Sequence, residues 1–270
     1  MIQDYFLTLM FVFFGLCFGS FALATAWRIK HKRNFVNDTS ECESCHHKLA
    51  AKDLVPIVSF LSTKGRCRYC KARLSILLPF AEVLGAVCFG LSYLHWPHLL
   101  NTFSDWFLFV SWCLALILLL ILFFYDLQWF LLPNKVVHPL WLVSGVYFGL
   151  SYARSDFNFS YLYNTMFAVV VTSGLFALLY FVSKGKWIGF GDVRLGLSIG
   201  LFVSTPAKAA LVLFLASLIG ILATLPSLLR GKSKMTTKVP FGPLLIIGTI
   251  VSVLYGQHLV DWYVHSILLL

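Results

Sequence analysis

Long, continuous apolar runs dominate the chain, and polar positions do not alternate with them. Eight stretches approach the roughly 20 residues needed to cross about 30 Å of hydrocarbon: 5–27, 74–95, 106–125, 136–153, 161–183, 188–204, 207–229 and 241–258. Inside a bilayer only helices and closed barrels satisfy every backbone N–H and C=O. Barrel strands alternate lipid-facing with lumen-facing residues, and these runs do not, so the pattern predicts helices. The stretch 188–204 is the shortest and carries Asp192 and Arg194 near its start, which makes it the marginal span. The first run lacks a basic start and is as long as a full span, so it reads as a retained helix, not a cleavable signal peptide.

Composition agrees with this pattern. Of 270 residues, 59% are hydrophobic and only 12% charged, too little charge to cover a soluble domain. The formal net charge of +10 raises nucleic acid as a partner, but the distribution of the charge argues otherwise. With the N-terminus placed outside, 19 of the 21 Lys and Arg residues fall on the inner side, 11 of them in the loop 28–73. The basic excess is thus a topology signal, with attraction to anionic lipid headgroups added to it, and no nucleic-acid partner is expected. The expected architecture is an all-α polytopic membrane protein of about eight transmembrane helices with a small cytoplasmic loop. Residues 1–95 hold the N-terminal spans and the loop 28–73, and residues 96–270 hold a six-helix bundle. No internal repeat is evident. Asn37-Asp38-Thr39 and Asn158-Phe159-Ser160 fit the glycosylation pattern, a match that is common by chance.

The loop contains two CxxC pairs, Cys42-Glu43-Ser44-Cys45 and Cys67-Arg68-Tyr69-Cys70. Four thiolates can hold a zinc ion tetrahedrally, each CxxC turn supplying two. So short a loop cannot fold on apolar burial alone and gains stability from a structural metal. Disulfides are the other reading, and an inner-side loop in a reducing compartment weighs against them. His46 and His47 adjoin the first pair, but four cysteines suffice. Cys17, Cys88 and Cys113 lie in apolar runs and read as packing residues.

Of 11 acidic residues, three lie in or at the edge of apolar runs: Glu82, Asp126 and Asp192. An ionisable group there is costly and is a functional candidate by default. Asp126 ends a span that runs outside to inside, and Asp192 begins one that runs inside to outside, so the lysine and arginine topology brings both to the same inner face. Two carboxylates close together in low dielectric share a proton. The ionised member can then accept a proton from an attacking water while the other donates to a carbonyl or a leaving amine. Gly189 and Gly191 precede Asp192 and suit a tight turn, an unwound helix start or close approach of a substrate backbone. Three rival readings stand beside this one: an ion pair of Asp126 with Lys135, an ion pair of Asp192 with Arg194, and proton or ion coupling in a transporter. Glu82 reads either as a buried acid fixing helix packing or as a group near a second site.

Taken in order, the motifs resemble those of the type IV prepilin peptidases along nearly the whole chain. Gly19-Ser20-Phe21 with Arg28 looks like the family's N-terminal motif, and the CxxC pairs match its cytoplasmic loop. Pro56-Ile57-Val58-Ser59-Phe60 and Gly65-Arg66-Cys67 are similar to the run leading into the second pair, and Glu82 to the glutamate that follows. Asp126 with Leu132-Pro133-Asn134, Gly189-Phe190-Gly191-Asp192 and Pro240-Phe241-Gly242-Pro243 look like the two aspartate motifs and the C-terminal segment. Presenilin-type proteases share a Tyr-Asp, as in Tyr125-Asp126, and a GxGD, but lack the CxxC loop. The resemblance implies a bifunctional enzyme of the bacterial cytoplasmic membrane. It would cleave leaders from prepilins or pseudopilins with Asp126 and Asp192, bind zinc at Cys42, Cys45, Cys67 and Cys70, and methylate the new N-terminus from S-adenosylmethionine. Glu41, Glu43 and Asp53 are the loop acids available to meet a basic leader.

Overall fold

The computed structural model describes residues 2–34, 39–229 and 239–266. Among them the chain is helical with no named strand: α1 Ile2–Lys30, α2 Val58–Ser62, α3 Leu77–Leu94, α4 Phe103–Trp129, α5 Asn134–Arg154, α6 Phe159–Val169, α7 Leu175–Ser183, α8 Phe190–Val203, α9 Pro206–Leu229 and α10 Phe241–Ser266. Seven helices are long and apolar enough to cross a membrane; α6 and α7 form one of these spans, through a π turn at Val170–Gly174. The expected span 188–204 is the difference. It is the 14-residue helix α8, about 21 Å long at 1.5 Å per residue, because Gly189 caps its start and Ser204 ends it in a left-handed conformation. Asn37 and Asp38 of the Asn37-Asp38-Thr39 pattern and the basic segment 230–238 lie outside the described residues.

The chain divides into two compact units, Met1–Leu94 and His95–Leu270. In the first, α1 and α3 run antiparallel with backbones in direct contact. A Cβ on Gly15 would lie 2.4 Å from the Gly85 carbonyl oxygen, and one on Gly19 would lie 2.1 Å from that of Ala81. Hydrocarbon supplies no hydrophobic drive between helices, so small residues that allow such approach hold the pair together.

In the second unit α4 is the axis. Trp112, Leu116, Leu119, Leu120 and Phe124 are fully buried along it. Its start is fixed by a reciprocal capping box between Thr102 and Asp105, and Asp105 also pairs with Arg154 at the end of α5. Helix α8 is backed by the π turn. Cβ atoms on Gly196 and Gly200 would lie 2.9 Å and 2.5 Å from the Cα atoms of Ser173 and Val169. Thr172 and Ser173 hydroxyls donate to the carbonyls of Gly196 (2.7 Å) and Val193 (2.9 Å). These contacts pin the short helix that carries Asp192.

Candidate active site and metal centre

Asp126 lies in the last turn of α4, and its side chain is buried. The helix stops four residues later, where Phe130 adopts a left-handed conformation and its N–H returns to the Asp126 carbonyl at 2.9 Å. Asp192 is the third residue of α8, where the exposed N–H groups of a helix start favour an anion. The GxGD spacing has a structural reason: Gly189 is the extended N-cap, and the Asp192 N–H returns to its carbonyl at 3.1 Å. Asp126 accepts from the Gly242 N–H in the first turn of α10, 3.1 Å from Oδ2. The two carboxylates sense each other's charge, although they come from helices far apart in sequence.

Neither aspartate makes an ion pair among the described residues. Arg194 instead donates to Asn134 Oδ1 and lies over the Phe190 ring, 4.7 Å from its centre. Its backbone carbonyl accepts from Trp141 Nε1 at 2.9 Å. The Leu132-Pro133-Asn134 segment thereby joins the start of α5 to the start of α8. Gly191 completes this junction, because a Cβ there would lie 3.0 Å from Leu132 Cβ. Neither Gly189 nor Gly191 has positive φ; Gly189 is extended and Gly191 is helical, so Gly191 serves close packing and the helix start is wound, not unwound.

Sequence reasoning assigned no role to Gly242. Its Cβ would lie 2.7 Å from Asp126 Oδ2, so only glycine lets the α10 backbone meet that carboxylate. The Pro-Phe-Gly-Pro run was the available signal, but nothing in it names a partner 116 residues away.

In the first unit the four cysteine sulfurs lie within 4.8 Å of one another, Cys42 and Cys70 at 3.8 Å. Thiolates about 2.3 Å from a tetrahedral zinc ion sit roughly 3.8 Å apart, so the cluster fits such an ion. Each CxxC pair forms the same knuckle. The Cys42 N–H donates to the His47 carbonyl (3.0 Å) and the Cys67 N–H to that of Ala72 (2.8 Å), while His46 and Lys71 follow in left-handed conformations. The Leu49 N–H reaches the Ser40 carbonyl and the Leu74 N–H that of Gly65, both at 2.8 Å. The backbone N–H of Cys70 draws the Cys67 thiol down to about 7, against the opposing effect of burial. Asp53 braces the second knuckle, accepting from Arg68 Nε at 2.7 Å and the Tyr69 hydroxyl at 3.0 Å. Arg68 holds its carboxyl below the usual range.

Residues 13–96 match the bacterial peptidase A24 N-terminal domain, and residues 113–225, which contain both aspartates, match the type IV leader peptidase family. The chain belongs to that family. Its relatives include prepilin leader peptidase/N-methyltransferases of Bacillus subtilis (29% identical over 96% of this chain and 98% of the relative) and Aeromonas salmonicida (27% over 94% and 93%). Another is that of Pseudomonas aeruginosa, 28% identical over 85% of this chain and 76% of the relative. No solved structure matches significantly. The family is one of membrane peptidases with N-methyltransferase activity, which agrees with the multi-pass helical fold and gives no support to transport as the function.

Proposed function

We propose that Asp126 and Asp192 are the catalytic pair with which this leader peptidase removes the leaders of prepilins or pseudopilins. The observation that carries this reading is that two intramembrane carboxylates lie within electrostatic reach of each other, Asp126 held by the Gly242 N–H and Asp192 in the first turn of α8, and neither makes an ion pair among the described residues. The ionised member takes a proton from water as that water attacks the scissile carbonyl, while the protonated member donates to the carbonyl oxygen. As the C–N bond breaks, the proton taken from water passes to the leaving amine, and the diol returns a proton to the second carboxylate. Gly189 and Gly191 support the pair, the first as the N-cap of α8 and the second by seating α8 against Leu132. The charge distribution supports a bacterial cytoplasmic membrane location, with the N-terminus outside and the pair at the cytoplasmic face.

Cys42, Cys45, Cys67 and Cys70 would hold a structural zinc ion, whose contribution is to lock the two knuckles together. Methylation of the freed N-terminus draws its methyl group from S-adenosylmethionine, as the resemblance implies. Among the described residues the unpartnered buried polar side-chain atoms are Thr25 Oγ1 and Trp96 Nε1, too few and too scattered to define a donor site. Of the loop acids, Glu41 is engaged by Arg33 and His46 and Asp53 by Arg68. That leaves Glu43 as the one of the three without an ion pair among the described residues to meet a basic leader.

The test is co-expression with a prepilin. Asp126→Ala and Asp192→Ala should each abolish leader removal while the protein stays in the membrane, and processing retained by both variants would overturn the assignment.

A further inference from the structure

The segment between the two knuckles has an unusual backbone. Ile57 has φ 60° and ψ −50°, a conformation that a β-branched residue rarely adopts. The Val58 N–H closes back on the Pro56 carbonyl at 2.6 Å, which makes a γ turn centred on Ile57. The Ile57 N–H has no place in a helix, and it donates to Glu82 Oε2 at 2.7 Å. The Ser20 side chain on α1 interacts with the same carboxylate, and Glu82 is buried.

Glu82 and Ser20 fix the depth of this turn. Glu82 is five residues into α3, about 7 Å past its start, and Ser20 lies ten residues, about 15 Å, before the end of α1. Both helices are candidate spans. The turn therefore sits beside the body of two spanning helices and not beyond their ends. Around it Leu54, Val55, Val58 and Leu61 are all exposed, an arrangement water disfavours and acyl chains do not. Exposed Lys52 and Lys64 flank the apolar stretch, where they would meet anionic headgroups.

We propose that residues 54–61 form a re-entrant hook that dips into the cytoplasmic leaflet, with Leu54, Val55, Val58 and Leu61 in lipid and Glu82 as its anchor. Non-helical backbone at membrane depth must have its N–H groups satisfied by protein, and the Glu82 carboxylate does this for Ile57. Glu82 is on this account a positioning residue that ties the knuckles to the membrane surface. The inference does not depend on the aspartate pair.

The full chain is placed in nanodiscs of phosphatidylethanolamine and phosphatidylglycerol, with an environment-sensitive fluorescent amino acid in place of Leu61 or, as control, of the exposed Lys48. Leader cleavage by each protein confirms that it is folded. Bromine on lipid acyl chains should quench the probe at 61 several-fold more than the probe at 48, and aqueous iodide should show the reverse order. Iodide quenching at 61 equal to that at 48 would place the segment in water. Quenching by neither agent would place it under protein. Either result overturns the hook. With the probe at 61, Glu82→Gln, which keeps an acceptor oxygen, should retain lipid quenching, and Glu82→Leu should lose it. A Glu82→Leu protein that still cleaves and still shows full lipid quenching overturns the anchoring role. If that variant does not fold, the probe in the otherwise unchanged chain still decides whether the segment is in lipid.

Discussion

The two units place polar chemistry by opposite means. In the second, helix packing does it. A buried α4, a glycine-seated α8 and the start of α10 bring two carboxylates within electrostatic reach, one of them on a backbone N–H, with no ion pair among the described residues. In the first, very little of the loop is buried, and its shape comes from local backbone bonds around four sulfurs. Rigid packing suits acid–base work, where a small displacement is costly. A loop folded around a cysteine cluster suits a module that must keep its shape on a surface with little core to spend.

The sharpest way to break this contrast is at the aspartates. Asp126→Asn and Asp192→Asn should each lower leader cleavage by on the order of 10²–10⁴-fold, read in membranes with a synthetic leader peptide, and leave metal content unchanged. Next is Gly242→Ala, which places a methyl group against Asp126 Oδ2. A loss of about 10²-fold in cleavage is expected, from misplacement of the carboxylate alone; full activity would mean that α10 does not position the acid. Cys67→Ser or treatment with a chelator should release the metal and open the loop to proteolysis, with cleavage falling only a few-fold. Loss of both together would show that the units are not energetically separate. Gly19→Val sets a side chain against the Ala81 carbonyl and should cost about 1–3 kcal/mol, typical of overpacking, seen as a lower melting temperature. The smallest effect is one of pH. Metal binding needs thiolates, and Cys67 is drawn down to about 7, so a chelator should strip metal more readily at pH 6 than at pH 8.

Much of this was legible because it is local. Apolar run lengths predict the helices, and lysine and arginine positions bring the aspartates to one face before any geometry is known. What escaped depends on contacts between distant residues. The Glu82–Ile57 bond ties a buried side chain to a backbone donor in a conformation that sequence does not announce. Arg194 has no visible reason to choose Asn134 over Asp192 until α5 and α8 are packed. The paired knuckles do not read as a repeat in the sequence, because what they share is backbone conformation, while only the cysteines and a following leucine recur in the letters. Length misleads at 188–204, since hydropathy does not register that Gly189 and Ser204 cap a shorter helix.

That short helix bears on how a hydrolase works in oil. At about 21 Å, α8 is roughly a third shorter than a 30 Å hydrocarbon layer, and eight of its fourteen residues are buried against neighbouring helices. Protein, not lipid, therefore makes up most of the missing length. Asp192 stands at one end of this helix, so the same shortness that hides α8 from hydropathy lets a carboxylate sit below the level of the longer spans.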